Sequence, residues 1–292
     1  MEQLLRKESS APVRENWSQG VLYFTFPLFE QFSFLTHGFS SRLGGVSEKE
    51  LGEMNLSYTR GDLSERVEEN FRRIADAIGF PYDRMVFSHQ THTTNVREVT
   101  RKDCGKGYLL ERDYQEVDGL VTNDPGVVLT TFYADCVPLY FVDPIHRAIG
   151  LAHSGWKGTV HNIARVTVEK MQSTYGTDPA SLFAAIGPSI CQDCYEVGED
   201  VASQFRAHYP ESVRPLLLRQ NSRGKYQLNL WEACRYNLQN AGLIREHIFV
   251  TDLCTCCNPE VLFSHRASHG KRGNLAAFLA IRDWQETAGN ET

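Results

Sequence analysis

TTFYADCVPLYFVDP, residues 130–144, decides how the chain is read. It is rich in β-branched and aromatic residues and has no helical period, so it reads as a strand bound for the core. Asp135 and Cys136 interrupt it side by side. An apolar strand holds a thiol at little cost, and a low dielectric strengthens a metal–thiolate bond. Successive side chains alternate across a strand, so Asp135 faces away from Cys136, where it would orient a histidine or a loop. Slightly further on, GLAHSGWKGT (150–159) places His153 in a second small apolar run, just before a glycine-rich turn.

Working outward, MVFSH, NVREVT, DGLVT, VVLTTFY, VPLYFVD and AIGLAH read as strands. Residues 21–39 give one or two more, and LFAAIGP (182–188), HIFVTD and NLAAFLAI the late ones. LSERVEENFRRIADAIGF (63–80) is an amphipathic helix with Val67, Phe71, Ile74 and Ile78 at helical spacing, Ser64 as its cap and Gly79 as its stop. The spacing predicts a second helix over 157–176, ending at Gly176, and others near 198–208 and 229–241. Strands and helices mix without strict alternation. The expected fold is therefore α+β, a single domain with a mixed β-sheet flanked by helices. The expected limits are a polar N-terminal tail (1–18), one catalytic domain (19–284) and a C-terminal tail (285–292).

The chain has 292 residues, 41% hydrophobic and 23% charged, with a net charge of −6. That charge argues against nucleic acid or an anionic membrane as partner. No apolar run is long enough for a membrane helix, and the polar start lacks a secretory core. A cytoplasmic protein, monomeric or a small homo-oligomer, is expected, with its eight cysteines reduced. Two C-x-x-C pairs exist, Cys191/Cys194 and Cys254/Cys257. They lie much further apart than the roughly 15–20 residues of a zinc ribbon, so the expectation is that they hold no metal.

His92 in SHQTHTTNV, Cys136 and His153 form a donor set that suits zinc, with a fourth position open for water. Spacing alone leaves open a buried free cysteine, a core histidine and a capping aspartate. The motifs GFSSRLGGVSEKELGEMNLS, SHQTHTTNV, DGLVTNDPGVVLTTFYADCVPLYFVDP, GLAHSGWKGT, AAIGPSICQDCYEVG and LFSHRASHGKRGNLAAFLAI follow one another in order. Together they resemble the laccase-domain family of the YfiH/YlmD type, purine nucleoside phosphorylases formerly called polyphenol oxidases, from about residue 35 to 282. The combination of QTH, ADC and HSGWKG is specific.

This resemblance implies a fold like that of the YfiH and cytotoxic necrotizing factor proteins. It implies one zinc per chain on His92, Cys136 and His153, with copper less favoured. It also implies phosphorolysis of adenosine, inosine and S-methyl-5′-thioadenosine, and deamination of adenosine by zinc-activated water. Lys157 stands where many members have arginine, and His265-Arg266 where Tyr-Arg is frequent. Around these motifs Arg42 with the Gly44-Gly45 turn, Lys157 and Arg266 are expected to receive phosphate. His89 and Asp135 are expected as acid/base or orienting groups, and Asn55 as a partner of a sugar hydroxyl. Ten histidines without an H-x-H argue against a multicopper oxidase. Two rival readings are a cysteine hydrolase using Cys136 and His153, and a non-enzymatic binding protein of the cell envelope or division machinery.

Overall fold

The computed structural model describes residues 4–9 and 11–284; the expected C-terminal tail, 285–292, lies outside them. The expected α+β domain, with mixed sheets flanked by helices, is what forms, but with two six-stranded sheets and a small third one in place of a single sheet. The first runs, in spatial order, β1 (Arg14–Ser18), β2 (Val21–Thr25), β3 (Leu35–Ser40), β15 (Leu275–Ile281), β7 (Val128–Tyr133) and β4 (Met85–Phe87). The second runs β14 (Ile248–Val250), β10 (Phe183–Ile186), β8 (Val137–Asp143), β9 (Ala148–Ser154), β6 (Gly119–Thr122) and β5 (Val96–Glu98). β11 (Glu196–Val197), β13 (Tyr226–Leu228) and β12 (Leu218–Gln220) make the third.

The two large sheets pack face to face. Phe24, Phe39, Leu129 and Leu279 of the first meet Leu120, Tyr140, Val142 and Leu151 of the second in one buried cluster. The outer face of the first sheet carries helix α1 (Ser64–Ile78), whose Val67, Phe71 and Ile74 pack on Met85, Val128 and Phe278. The outer face of the second carries α2 (Trp156–Val160), α3 (Ile163–Tyr175), α4 (Glu199–His208) and α6 (Leu230–Asn240), with the short α5 (Arg214–Leu217) beside them. Strands buried on both faces need apolar residues at every position, not alternate ones. In β8, Tyr140 and Val142 face the partner sheet while Val137, Leu139 and Phe141 face the helices. That is why its sequence is an unbroken apolar run.

Three local expectations are corrected. Arg14–Ser18, placed in the polar tail by the sequence, is an edge strand paired with β2. Further towards the N-terminus, Lys7 donates its N–H to the carbonyl of Asp252, and the Arg6 guanidinium meets the Asp252 carboxylate at 2.6 Å. Ser64 begins α1 without capping it, Leu63 being the N-cap. The helix expected over 157–176 is broken in two. Asn162 adopts φ +61° there, and its side chain accepts the N–H of Arg165 to start α3. The expected stops hold, with Gly79 and Gly176 both left-handed.

At Asn162 one side chain meets two demands, a cap and a left-handed residue. Asn162→Ala should cost about 1–2 kcal/mol of stability, whereas Asn162→Gly should cost only a few tenths, read from urea unfolding midpoints.

Candidate active site

The site grows out of the place where the chain leaves one sheet for the other. β7 ends at Tyr133 and β8 begins at Val137, so Ala134, Asp135 and Cys136 form a corner rather than a strand interior. Asp135 turns this corner with φ +90°, a region asparagine and aspartate tolerate better than most residues. Its carboxylate accepts the Thr255 hydroxyl and the Arg266 N–H, each at 2.7 Å. Asp135 therefore orients two loops, and no histidine.

His153 closes β9, and His92 sits in the loop after β4. The Cys136 Sγ lies 3.9 Å from His92 Nε2, and one donor atom from each of His92, Cys136 and His153 falls within 4.8 Å of the other two. His153 is buried, Cys136 half-buried and His92 exposed, so the set opens towards solvent on one side only. Gly155 is what lets it close up. A Cβ there would stand 2.8 Å from His92 Cδ2 and 3.2 Å from Cys136 Sγ.

Asp118, which the sequence reading missed, organises the set. Its fully buried carboxylate lies 2.8 Å from His153 Nδ1 and accepts the N–H groups of Thr91, His92 and Thr93, each at 3.0 Å. Burial alone would raise this carboxyl, but His153 and the N–H groups bring it down to about 2. Charged Asp118 keeps a proton on His153 Nδ1 and leaves Nε2 as the metal-facing atom. It also holds the loop in which His92 adopts φ +66°. Burial likewise opposes charge on Cys136 and His153. Yet each stabilises the other's ion, bringing the thiol down to about 6 and the imidazole up to about 9. Two imidazoles and a thiolate converging on one point, with an orienting carboxylate behind, are a donor set that could hold a metal ion with a position left open.

A cleft of about 380 Å³ opens beside this set. Tyr58, Phe87 and Phe132 give it aromatic walls, and Arg60, Arg112 and Arg272 line it with positive charge. Arg272 is 9% exposed, and its Nε is buried without a hydrogen-bond partner. Burial, and then the neighbouring Arg60, lower its pKa to about 10. Arg60 makes no ion pair among the described residues. Arg272 Nη1 donates to the Gly273 carbonyl and the Asn274 side chain, and two neighbouring guanidiniums lining one cleft can receive an anion.

Of the other expected residues, His89 lines the cleft; its Nδ1 accepts the Glu116 N–H at 3.0 Å, so the proton sits on Nε2. Arg42 lies elsewhere. Its guanidinium donates to the carbonyls of Gly52 and Pro259 and stacks on Phe263. Gly44 and Gly45 pack against the main chain of residues 20 and 53, and the Gly44 N–H already donates to the Glu53 carboxylate at 2.7 Å. Asn55 is fully buried, with its carbonyl oxygen holding the N–H of Asn274, which lines the cleft. Lys157 is exposed at the start of α2 and outside the cleft lining. Arg266 donates to the carbonyls of Cys194 and Glu196. The cradle expected from these residues is not assembled, and the cationic lining comes from three arginines the sequence reading passed over.

Residues 36–282 match the family described as multi-copper polyphenol oxidoreductase laccase. A Bacillus subtilis protein named purine nucleoside phosphorylase YlmD is 38% identical over 250 residues, 84% of this chain and 88% of that protein. The crystal structure of YlmD from Geobacillus stearothermophilus superposes with a TM-score of 0.85 at 35% identity, covering 94% of this chain and 100% of that one. A Bacillus licheniformis hypothetical protein, YfiH, superposes with a TM-score of 0.86 at 32% identity, covering 93% and 99%. Among the described residues no helix is long and apolar enough to cross a membrane.

Asp118→Asn keeps the size of the side chain but loses the charge that holds His153. Metal affinity should fall about 10–100-fold in a chelator competition, without unfolding. Gly155→Ala should weaken metal binding by pushing His92 aside, measured in the same competition.

The pKa values give a proton count. Between pH about 6 and about 9 the metal-free site holds a Cys136 thiolate and a His153 imidazolium. From the protein a metal must then displace about one proton, that on Nε2 of His153, and above about pH 9 none, any water ionised at the open position adding its own proton to the total. Calorimetric titration in buffers of different ionisation enthalpy reads this directly; uptake of protons, or no pH dependence, would contradict it.

Proposed function

Since the chain belongs to the family described as multi-copper polyphenol oxidoreductase laccase, and its Bacillus subtilis relative is named a purine nucleoside phosphorylase, we propose that it is a metal-dependent purine nucleoside phosphorylase. It takes adenosine, inosine or S-methyl-5′-thioadenosine with phosphate and yields free base and pentose 1-phosphate. The same cleft deaminates adenosine. Zinc is the ion the donor set favours: among the described residues no methionine lines the cleft to serve as a blue-copper axial ligand. Eight free cysteines suit a cytoplasmic site of action.

One observation carries this reading: the His92, Cys136 and His153 donors open into the same cleft as Arg60, Arg112 and the partly unsatisfied Arg272. A metal bound there would supply Lewis-acid activation of water at its open position. The rest falls to the side chains. Tyr58, Phe87 and Phe132 exclude water and offer flat walls to a purine. The arginines hold phosphate against C1′. As the phosphate oxygen bonds to C1′, the C1′–N9 bond breaks and its electron pair goes to the purine, which needs a proton. His89, with its proton on Nε2, lines the cleft as the candidate donor.

A second reading has a specific observation behind it. Cys136, His153 and Asp118 are placed as a nucleophile, a base and an orienting carboxylate, as in a cysteine hydrolase. Such an enzyme has no use for His92 converging on the same sulfur, and would survive chelation.

Purified protein should convert adenosine and phosphate to adenine and ribose 1-phosphate, and adenosine alone, more slowly, to inosine. Arg272→Ala should weaken phosphorolysis about 10- to 150-fold through loss of a charge-assisted contact of about 1.5–3 kcal/mol, while sparing deamination. His153→Ala should abolish both. Chromatography of the products decides: equal losses of both activities in Arg272→Ala would remove the arginines from phosphate binding. Full activity after chelation would favour the hydrolase reading.

A further inference from the structure

β10 and β14 are parallel neighbours, with Ile186 opposite Val250. Each strand runs on into a C-x-x-C segment, Cys191/Cys194 after β10 and Cys254/Cys257 after β14, so both pairs leave the sheet at the same end. Ser189 pairs with Cys254 in an isolated bridge that keeps them in step. This topology removes the objection raised by their distance along the chain. One sulfur from each of the four cysteines lies within 4.8 Å of every other, with Cys194 and Cys257 at 3.5 Å and Cys191 and Cys257 at 3.9 Å. A disulfide needs about 2.05 Å. Four sulfurs at about 2.3 Å from a tetrahedral zinc stand about 3.8 Å apart.

We propose that Cys191, Cys194, Cys254 and Cys257 form a second, structural metal site, a closed tetrathiolate centre for zinc or an ion of similar softness. One of the four sulfurs already has main-chain donors turned towards it. Cys254 Sγ accepts two main-chain N–H groups, from Cys191 at 3.2 Å and from Cys257 at 3.4 Å. Such N–H donors favour a thiolate over a thiol. Lys7, held at 3.0 Å by Asp193, interacts electrostatically with Cys191 and Cys257 and offsets part of the charge of four thiolates. Cys256, adjacent in sequence, is outside the set. All four positions are filled by protein, so this centre has no room for substrate, and its work is to tie two loops together. Those loops support the corner beside Cys136: the Ile190 N–H donates to the Asp135 carbonyl at 3.0 Å, and the Thr255 hydroxyl to its carboxylate.

The test uses the full chain. Wild-type protein should carry about two zinc ions by elemental analysis, and Cys136→Ser about one. Replacing zinc by cobalt in Cys136→Ser should give the intense sulfur-to-cobalt charge-transfer absorption of a tetrathiolate. Cys254→Ser should lose that band and one ion, whereas Cys256→Ser should keep both. Should Cys254→Ser fail to fold, native thiol titration of Cys136→Ser replaces it, with four thiols becoming reactive only after a strong chelator is added. A single ion in wild type that disappears in Cys136→Ser would overturn the proposal, as would a Cys194–Cys257 disulfide found by mass spectrometry. Because the readout is metal and not turnover, failure of the nucleoside assignment would leave this result untouched.

Discussion

A single buried carboxylate governs the site. Asp118 is withdrawn from solvent and still charged, because it accepts three consecutive main-chain N–H groups and faces His153. Removing a charge from water is costly unless every lone pair is used, and here the bonds that satisfy Asp118 are the bonds that build the centre. They fix the His153 tautomer and the loop that presents His92. The His153 N–H also donates to the Asp118 carbonyl at 2.7 Å, so main chain and side chain of one residue align the end of β9. The third donor, Cys136, arrives independently, on the corner that lets the chain pass from one sheet to the other.

That corner explains why the layered architecture and the chemistry share a location. A sheet face or helix face covered by another layer has no opening. The gap left where β7 gives way to β8 does, and the cleft runs from Cys136 past Phe132 to Arg272. Asp135 holds the gap open in shape by tethering Thr255 and Arg266 rather than by touching the metal donors. The sulfur-lined ends of β10 and β14 stand behind those tethers. Among the described residues both clusters of metal-type donors therefore lie beside the corner at Asp135.

Much of this was legible in the sequence. The helical stripe of Val67, Phe71 and Ile74 and the left-handed stops Gly79 and Gly176 are local signals, and they hold. His92, Cys136 and His153, which the fold brings together, were picked out through the QTH, ADC and HSGWKG motifs, spacing alone leaving a free cysteine and a core histidine open. What failed is what depends on distant pairing. The division into two sheets turns on a bend at Asp135, and an aspartate between apolar residues does not say whether a strand bends or continues. Arg42 reads as a free cation, but a guanidinium near exposed carbonyls is as easily consumed by them. Arg60 and Arg272 sit in loops brought together only by the tertiary fold. Asp118 starts an apolar strand, and that was the one available signal: a carboxylate beside a fully buried segment needs partners. The convergence of the two cysteine pairs was not legible, because spacing along the chain does not reveal that β10 and β14 are neighbours.

The central claim is that nucleoside chemistry here depends on an ion held by His92, Cys136 and His153. The most direct test is to strip the exposed site with a mild chelator and return zinc stepwise while following adenine release from adenosine and phosphate. The account predicts activity that rises in proportion to added metal and saturates at about one equivalent per chain, with no recovery in Cys136→Ser. Activity that persists in the stripped protein and ignores added zinc would contradict it.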